Sequence, residues 1–429
     1  MTARISGLTC AVCAAQVPLS ASFVWTCPNS SSTDPHHVLL FDDVNAASIP
    51  KSHSESLNPF MRYREQLAVD AFGEAIGLDS AARIAIIEEL DDAIRRVCGS
   101  GFQMTPVRRA DELSDVLNFS SRGGVWIKDE TNNVAGSHKA RHLFTELVYL
   151  VMTERAGIAP WSDAGSRPPL AIASCGNAAI AASTLARAVD WPIAVHVPVD
   201  AQKSVVATLS TLQADVRMCP RQKGDPAGDP CVLRFRELVQ SGAIPFGVQG
   251  TENPWCLDGG RTLGWELLEQ VNDIDRVFVQ VGGGAFAATL TDSYVRPSLT
   301  QLHVVQTHGC APLVRAWEMW KSHGYPDNVA QLWSHYMWPW ETTPTSFADG
   351  ILDDETYDWI PVLRGVHESG GSGVTASEDD VVRAYELAHL HTDIDVSPTG
   401  SAGLAGVLQI RDEVSSDDNV LVIFSGHSR

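Results

Sequence analysis

The spacing of apolar residues predicts a helix early in the chain and alternating strands and helices later. Residues 79–101, DSAARIAIIEELDDAIRRVCGSG, predict a helix with four apolar residues near one face: Ile87, Leu90, Ile94 and Val97. From about residue 125, short apolar runs alternate with helical patterns, which is typical of a parallel sheet with helical connections. Strands are predicted at residues 169–174, 193–199, 276–281, 301–307 and 419–425, and helices at 177–189 and 202–214.

One stretch, residues 316–341, breaks this alternation and contains five of the twelve tryptophans. We expect a helical excursion that packs on the core. The alternative is an aromatic wall over a pocket, because tryptophan combines a flat apolar surface with one polar group.

The length and composition are those of an ordinary globular protein. A chain of 429 residues, 44% hydrophobic and 19% charged, can form a core and is long enough for two lobes. It contains no run of about 18 apolar residues, so we expect no membrane span. The formal net charge of −21 argues against nucleic acid or anionic lipid as a partner.

The cysteines and the N-terminus both predict a cytoplasmic protein. The nine cysteines are an odd, scattered set without a disulfide-like framework, which fits a reducing compartment. The opening sequence, MTARISGLTCAVCAAQVPLS, lacks the apolar core and cleavage site of a secretory signal.

A glycine-rich turn between a predicted strand and helix could bind a phosphate. In VQVGGGAFAATL, the strand leads into Gly282, Gly283, Gly284 and Ala285, whose backbone amides would lie at a helix N-terminus. The motif is weak alone, because glycines also allow a strand and a helix to pack closely. Its spacing is not that of a dinucleotide site.

A second turn, ASCGNAAIAAS, offers a hydroxyl, backbone amides and a side-chain amide where α/β proteins bind ligands. These groups belong to Ser174, Cys175, Gly176 and Asn177. Cys175 could be a nucleophile, because a helix N-terminus lowers the pKa of a thiol. No histidine or aspartate partner can be assigned to it, so we favour a turn that binds a carboxylate and a ring hydroxyl.

Two more residues stand at predicted helix starts. In VSPTGSAGLAGVL, Thr399 is either a simple N-cap, worth about 1 kcal/mol, or a hydroxyl that faces a ligand. In VAGSHKARHLF, Lys139 follows Gly-Ser-His and could be an ordinary surface lysine. However, Leu143, Leu147 and Leu150 share one face of the next helix, which would bury that helix and fix the amine at its start.

These four features together are more specific than any one of them. Pyridoxal 5'-phosphate (PLP) needs amides for its phosphate, an amine for a Schiff base, and partners for its ring nitrogen and ring hydroxyl. We therefore predict PLP as the cofactor and an amino acid as the substrate.

The chain resembles the fold type II, or tryptophan synthase β-like, family of PLP enzymes over nearly its whole length. Within that family the pattern is most similar to threonine synthases. The resemblance is carried by RYREQL (62–67), GFQMTPV (101–107), VWIKDETNNVAGSHKAR (125–141), SCGNAA (174–179), ENPWCLDGGRTLGWEL (252–267), TTPTSFADGI (342–351) and FSGHSR (424–429).

The resemblance implies an α/β fold type II architecture, with two open domains of mainly parallel sheets and the cofactor between them. It implies a ribbon-like segment at 1–45, a large PLP-binding domain from 46–140 and 251–429, and a small domain at 141–250 that carries the asparagine loop. It also implies a homodimer.

The resemblance further implies a role for each matching position. Lys139 would form the Schiff base, and Asn177 would bond the ring hydroxyl. Thr399 would face the pyridine nitrogen. The phosphate loop would consist of Gly282, Gly283, Gly284 and Ala285. The substrate carboxylate site would consist of Ser174, Cys175 and Gly176.

The lysine motif departs from the family pattern. GSHKAR has His138 and Ala140, whereas the usual family motif is GSFKDR, and the GS-x-KAR form is similar to that of D-serine dehydratases of the same fold. Two residues after the lysine, Arg141 is expected to pair with Asp129 or Glu130, or to lie on the helix surface.

The N-terminal cysteines depart as well. Cys10, Cys13 and Cys27 look like the small cysteine ribbon of many threonine synthases, but CPNS has no fourth cysteine. A structural zinc site needs four ligands. His36 or His37 could complete a set, but we expect a ribbon without metal.

The expected function is that of a PLP-dependent lyase or synthase, similar to threonine synthase, that acts on an amino acid by β- or γ-elimination or replacement. Lys139 would be the catalytic base. The alternative enzyme is a hydroxy-amino-acid dehydratase or ammonia-lyase of the serine or threonine type, which releases a keto acid and ammonia. Outside enzymes, the alternatives are a cofactor-binding regulator without catalysis and a zinc-ribbon binding module with an inert α/β body.

Overall fold

The computed structural model describes residues 5–43 and 55–428, and the strands in these ranges form three sheets. In chain order the strands are β1 Ile5–Cys10, β2 Gln16–Pro18, β3 Leu39–Asp43, β4 Val107–Arg109, β5 Gly124–Asp129, β6 Leu170–Ala173, β7 Ile193–Val197, β8 Asp215–Met218, β9 Ile244–Pro245, β10 Arg276–Gln280, β11 Gln301–Thr307, β12 Ser372–Ala376 and β13 Asn419–Phe424.

The helices connect and cover these strands. In chain order they are α1 Pro59–Arg62, α2 Ala68–Ala75, α3 Ser80–Cys98, α4 Asp111–Val116, α5 Lys139–Arg155, α6 Asn177–Ala188, α7 Lys203–Thr211, α8 Pro230–Gln240, α9 Trp255–Gln270, α10 Ala285–Leu290, α11 Arg296–Ser298, α12 Pro312–Ser322, α13 Trp359–Glu368, α14 Glu378–His391 and α15 Pro398–Gln409. Across the two described ranges, no helix is long and apolar enough to cross a membrane.

The largest sheet has six strands in the order β12-β11-β10-β13-β5-β4. Its strands run parallel, except that β4 pairs antiparallel with β5. The central strands β10 and β13, RVFVQ and NVLVIF, are buried along nearly their whole length. Continuous apolar strands of this kind are expected where helices cover both faces of a parallel sheet.

The other two sheets are smaller. A four-stranded sheet, in the order β8-β7-β6-β9, is entirely parallel, and β6 and β7 lie at its centre. The N-terminal sheet has the order β2-β1-β3 and is antiparallel. The predicted α/β class with mainly parallel sheets is therefore confirmed.

The domain prediction can be compared with where the strands fall. The strands of the four-stranded sheet all lie within residues 141–250, and those of the six-stranded sheet lie within 46–140 or 251–429. The predicted boundary between residues 45 and 46 lies outside the described residues. The boundaries themselves stay a prediction, which this distribution supports.

The predicted elements are confirmed with small shifts at their ends. The five predicted strands correspond to β6, β7, β10, β11 and β13, and the predicted helices to α3, α6 and α7. Helix α3 begins after Asp79, whose side chain accepts a hydrogen bond from the Ala82 N–H, and ends at Gly99, which has a φ of +82°. Val97 does not share the buried face, because the last turn of α3 leaves it 37% exposed.

The tryptophan-rich stretch is α-helical only in its first part. Trp317 and Trp320 are buried on α12, as the core-packed interpretation requires. After α12 the chain forms turns and two short 3-10 helices, Asp327–Val329 and Trp333–His335. In the last turns, the guanidinium carbon of Arg315 lies 3.8 Å from the centroid of the Trp338 ring. The expectation of a helical excursion therefore holds for α12 and, beyond it, only for these two short helices.

A buried network of charges joins β5, α5 and α9. Arg141 donates from Nε to Glu130 Oε2 at 2.9 Å and from Nη1 to Glu266 Oε1 at 2.6 Å. Lys128 Nζ donates to Glu266 Oε2, also at 2.6 Å. The four side chains are at most 1% exposed. The expected pairing of Arg141 with Glu130 is confirmed, and the alternative of a surface position is wrong.

The network favours the charged form of Glu266. Burial by itself raises the pKa of Glu266, but Arg141 and Lys128 hold that pKa below its ordinary value. Two cations balance two anions, so the first turn of α5 is fixed against both β5 and α9. Lys139 begins that turn.

Replacing Arg141 should destabilise the fold strongly. Arg141→Leu leaves two buried carboxylates without their main partner, and we expect a loss of about 3–5 kcal/mol in the free energy of unfolding. The matched control is Arg155→Leu on the same helix, because Arg155 pairs with Glu89 at 2.8 Å on the exposed surface. An exposed pair is worth at most about 1 kcal/mol. Urea unfolding checks both values, and equal losses in the two variants would contradict the role given to the network.

Candidate functional site

Lys139 lies at the start of α5, in a loop held by the end of the chain. The His138 N–H donates to the Ser425 carbonyl at 3.1 Å, and the His427 N–H donates to the Gly136 carbonyl at 3.1 Å. Burial lowers the pKa of the Lys139 amine, and the nearby Asp353 and Asp358 offset part of that effect. Among the described residues, no ion pair or hydrogen bond to Nζ is found. The amine therefore lies in a protected position and is available for chemistry.

Two histidines behind the lysine support the helix and carry no charge. His138 packs on Phe286 with ring centroids 4.3 Å apart, and its Nδ1 lies 3.1 Å from the Ser425 carbonyl. His142 Nδ1 lies 2.8 Å from the Cys256 carbonyl. Burial, followed by the charge of Lys139, lowers the pKa of His138 well below its ordinary value and that of His142 to about 3. The position that departs from the family motif is thus occupied by a neutral, packed side chain.

The glycine turn lies between β10 and α10, as predicted. Gly284 has a φ of +100°, a conformation that favours glycine, and Ala285 begins the helix. A Cβ atom on Gly282 would lie 2.2 Å from Asp353 Oδ2, and one on Gly283 would lie 3.2 Å from the ring of Tyr357. A side chain at either position would be crowded, and without one the backbone is open to a close neighbour.

The Asp353 carboxylate is an anionic group that lies next to this glycine turn. Burial raises the pKa of Asp353 to about 6, while Lys139 and a hydrogen bond from the Gly283 backbone lower it. A carboxylate oxygen thus already lies on the amides that were predicted to bind a phosphate. Asp353 is close to both the glycine turn and Lys139, so the turn and the lysine amine lie near each other. A cofactor with a phosphate for the turn and an aldehyde for the amine fits these two groups.

The asparagine loop follows β6, and Asn177 begins α6. Asn177 lies close to the lysine loop, and Gly426 is next to both. A Cβ atom placed on Gly426 would be 2.5 Å from Asn177 Nδ2 and 3.2 Å from the Cβ of Ser137 in the lysine loop. At the turn itself, the Gly176 N–H donates to Ser174 Oγ at 3.4 Å. The end of the chain therefore brings the lysine loop and the asparagine loop together.

Cys175 is not activated as a nucleophile. Desolvation, followed by the charges of Asp349, Asp229 and Asp353, raises the pKa of its thiol to about 11. A helix N-terminus was expected to lower this pKa, and desolvation together with the nearby carboxylates outweighs that effect. The interpretation of this turn as one that binds a carboxylate stays a prediction.

Thr399 lies in the first turn of α15, where Ser397 is the N-cap. Its Oγ1 accepts a hydrogen bond from the Gly350 N–H at 2.9 Å and lies 3.4 Å from Asp349 Oδ1. Asp349 also accepts from Gln202 Nε2 at 2.6 Å, a contact that links the part of the chain with the four-stranded sheet to the rest. Thr399 is therefore not a simple N-cap, and its predicted contact with a ring nitrogen stays a prediction.

Sequence reasoning missed the acidic residues of this cleft. They lie in the segment ADGILDDETYD, residues 348–358, directly after the TTPTS motif. Burial raises the pKa of Asp353 to about 6 and that of Asp358 to about 7, and the charge of Lys139 lowers both. The three consecutive acidic residues that follow the TTPTS motif were the sequence signal from which these residues could have been predicted. Several of the predicted site residues therefore lie near acidic side chains.

Comparison with known proteins identifies the family. The family profile described as "Pyridoxal-phosphate dependent enzyme" matches residues 100–426. Threonine synthase of Methanosarcina acetivorans is 23% identical over 335 residues, which cover 75% of this chain and 74% of that protein. The biosynthetic L-threonine dehydratase IlvA of Haemophilus influenzae is 24% identical over 331 residues, which cover 76% of this chain and 56% of that protein.

The fold agrees with this match. The solved structure of maize serine racemase superposes with a TM-score of 0.58 at 18% identity, covering 80% of this chain and 93% of that one. The matched residues 100–426 include the lysine, the asparagine loop, the glycine turn and Thr399. With the family profile covering most of its length, the chain belongs to the pyridoxal-phosphate-dependent enzymes, and PLP is the cofactor of its family.

Proposed function

We propose that the protein is a PLP-dependent lyase or synthase that acts on an amino acid by elimination or replacement at the β or γ carbon. The observation that carries this proposal is the Lys139 amine, which is desolvated, has no ion-pair partner among the described residues, and shares a neighbour with the glycine turn. When bound, the cofactor supplies an aldehyde that condenses with amines and a ring that withdraws electrons from the α carbon.

The roles of the chain's own residues follow from their positions. Gly282, Gly283, Gly284 and Ala285 would hold the phosphate through backbone amides, and Asn177 would orient the ring. Burial lowers the pKa of Lys139, so a larger fraction of its amine is neutral and can take a proton from the substrate's α carbon. A neutral hydroxyl such as Thr399 cannot hold a ring nitrogen protonated as a carboxylate would, which favours loss of a leaving group over transamination.

The acidic cleft narrows the substrate class. Ser174, Cys175 and Gly176 would bind the substrate carboxylate through hydrogen bonds, while Asp229, Asp349 and Asp353 act on the same place. A second negative charge on the substrate would be repelled by these carboxylates. We therefore expect a side chain that is neutral or positively charged, rather than a phosphorylated one.

These acidic residues favour the alternative enzyme, a dehydratase. A serine- or threonine-type dehydratase acts on an uncharged hydroxyl side chain and needs no phosphate pocket, and the GSHKAR motif is similar to that of D-serine dehydratases.

Relatives named threonine synthase, threonine dehydratase and serine racemase carry out replacement, elimination and inversion, and each of these reactions begins with removal of the α proton. A homodimer and a cytoplasmic location stay predictions.

Lys139 should be the residue that carries the cofactor. Borohydride treatment of the PLP-loaded protein should fix the cofactor to the peptide that contains Lys139, as found by mass spectrometry. Lys139→Ala should abolish this labelling. The control is Lys203→Ala, because Lys203 is an exposed lysine that also begins a helix, α7. Labelling that persists in the Lys139 variant would refute the assignment.

Asp353 should weaken phosphate binding at high pH. With a pKa of about 6, its carboxyl is mostly protonated at pH 5 and charged at pH 8. We expect Asp353→Asn to bind pyridoxine 5'-phosphate, which has no aldehyde and does not react with lysine, about tenfold more tightly at pH 8, a gain of about 1.4 kcal/mol. The two proteins should bind it equally at pH 5.

Fluorescence titration at both pH values measures this difference. The control is Asp412→Asn, an exposed carboxylate elsewhere on the surface, which should bind as the wild type does at both pH values. If the Asp353 variant shows the same modest change at pH 5 and pH 8, its charge does not oppose the phosphate.

A substrate panel should separate the two enzyme classes. With L- and D-serine, L- and D-threonine, 2,3-diaminopropionate and O-phosphohomoserine, we expect turnover of uncharged or cationic substrates, with kcat/KM at least about tenfold lower for the phosphorylated one. Release of ammonia and a keto acid without an added nucleophile supports the dehydratase. Chiral chromatography detects inversion, and preferred use of O-phosphohomoserine would contradict the role of the acidic cleft.

A further inference from the structure

Four metal-binding side chains converge in the N-terminal module. Cys10 ends β1, Cys13 follows in the turn, and Cys27 and His37 come from the loop before β3. The ligand atoms of these four residues all lie within 4.8 Å of one another. None of the four is near the PLP site in sequence, and the proposed reaction uses none of them.

The spacing of the donor atoms matches a tetrahedral metal site. Cys13 Sγ and Cys27 Sγ are 3.5 Å apart, and Cys10 Sγ and His37 Nδ1 are 3.3 Å apart. A zinc ion with bonds of about 2.3 Å to sulfur and about 2.0 Å to nitrogen would place such pairs roughly 3.5–3.8 Å apart. The cysteines are free thiols, so no disulfide uses these sulfurs.

The surroundings of the donors are those of thiolate ligands. The Val12 N–H lies 3.5 Å from Cys10 Sγ, and the Asn29 N–H lies 3.4 Å from Cys27 Sγ. Each donor stands two residues after its cysteine, so the same tight turn is formed twice. Backbone N–H groups directed at sulfur stabilise the charged form that a metal requires.

The histidine is oriented for the same purpose. His37 Nε2 lies 3.1 Å from Asp34 Oδ2, while Nδ1 faces the sulfurs. A metal-binding histidine commonly donates its other ring N–H to a carboxylate, which fixes the ring and its tautomer. His36 points elsewhere, since its ring packs on Trp333 with centroids 4.6 Å apart.

We propose that Cys10, Cys13, Cys27 and His37 bind one structural zinc ion. This reverses the expectation of a metal-free ribbon, because His37 takes the place of the missing fourth cysteine. Four protein ligands leave no position open for a substrate or water, so the ion holds the module together and takes no part in catalysis.

The zinc site would order the surface on which the module rests. Gln331 Nε2 donates to the Val12 carbonyl at 3.0 Å, and Arg364 Nη1 donates to the Ala11 carbonyl at 2.9 Å. Both carbonyls belong to the turn between Cys10 and Cys13. The metal therefore fixes the turn that contacts the tryptophan-rich stretch and α13.

Metal analysis of the full-length protein tests the proposal. After incubation with zinc and gel filtration, the wild type should contain about one zinc ion per chain. Cys27→Ser and His37→Ala should retain less than about a tenth of that amount. His36→Gln, which changes the neighbouring histidine, should keep the full amount, and His37→Cys should keep it because a thiolate replaces the imidazole.

Two measurements keep the test decisive if a variant folds poorly. Cobalt added to the metal-free wild type should give the visible absorbance of a tetrahedral site with sulfur ligands. PLP absorbance recorded on the same samples reports the cofactor site separately. A wild type that holds less than about a tenth of a zinc ion per chain, a Cys13–Cys27 disulfide in the purified protein, or a His37→Ala variant with full zinc content would overturn the proposal.

Discussion

The buried ion network around Arg141 is the constraint on which the site depends. Arg141 lies two residues after Lys139, so its bonds to Glu130 on one side and Glu266 on the other set where α5 begins. Glu130 directly follows β5, and Glu266 lies on α9. Without these partners the start of α5 could shift, and the lysine amine would shift with it. A charge network inside the core thus adds to packing in fixing the position of Lys139 at the start of α5.

The segment 348–358 connects the separate parts of the molecule. Gly350 and Asp349 contact Thr399, Asp353 lies on the glycine turn, and the Asp358 N–H donates to the Gly283 carbonyl at 2.9 Å. Glu355 Oε2 lies 3.8 Å from His36 of the N-terminal module. One segment therefore contacts the glycine turn, Thr399 and the cysteine module.

Much of the architecture could be predicted from the sequence, because local patterns decide it. Short apolar runs such as RVFVQ and NVLVIF, which are typical of buried strands, form the central strands β10 and β13. The strand β8, DVRM, was missed because an edge strand is partly exposed and carries little apolar signal. Val97 was misplaced because periodicity does not show where a helix leaves the core.

The site also has a part that could be predicted and a part that could not. Its motifs are local in the sequence, whereas its surroundings come from residues far apart in the chain. Lys139, Asn177 and the glycines could be found because each stands at a strand–helix turn. The effect of Asp353 on the glycine turn and of Asp349 on Cys175 could not, because these contacts join residues far apart in the chain. Motifs therefore identify the cofactor, which the family shares, whereas the charges near these motifs are seen only in the folded chain.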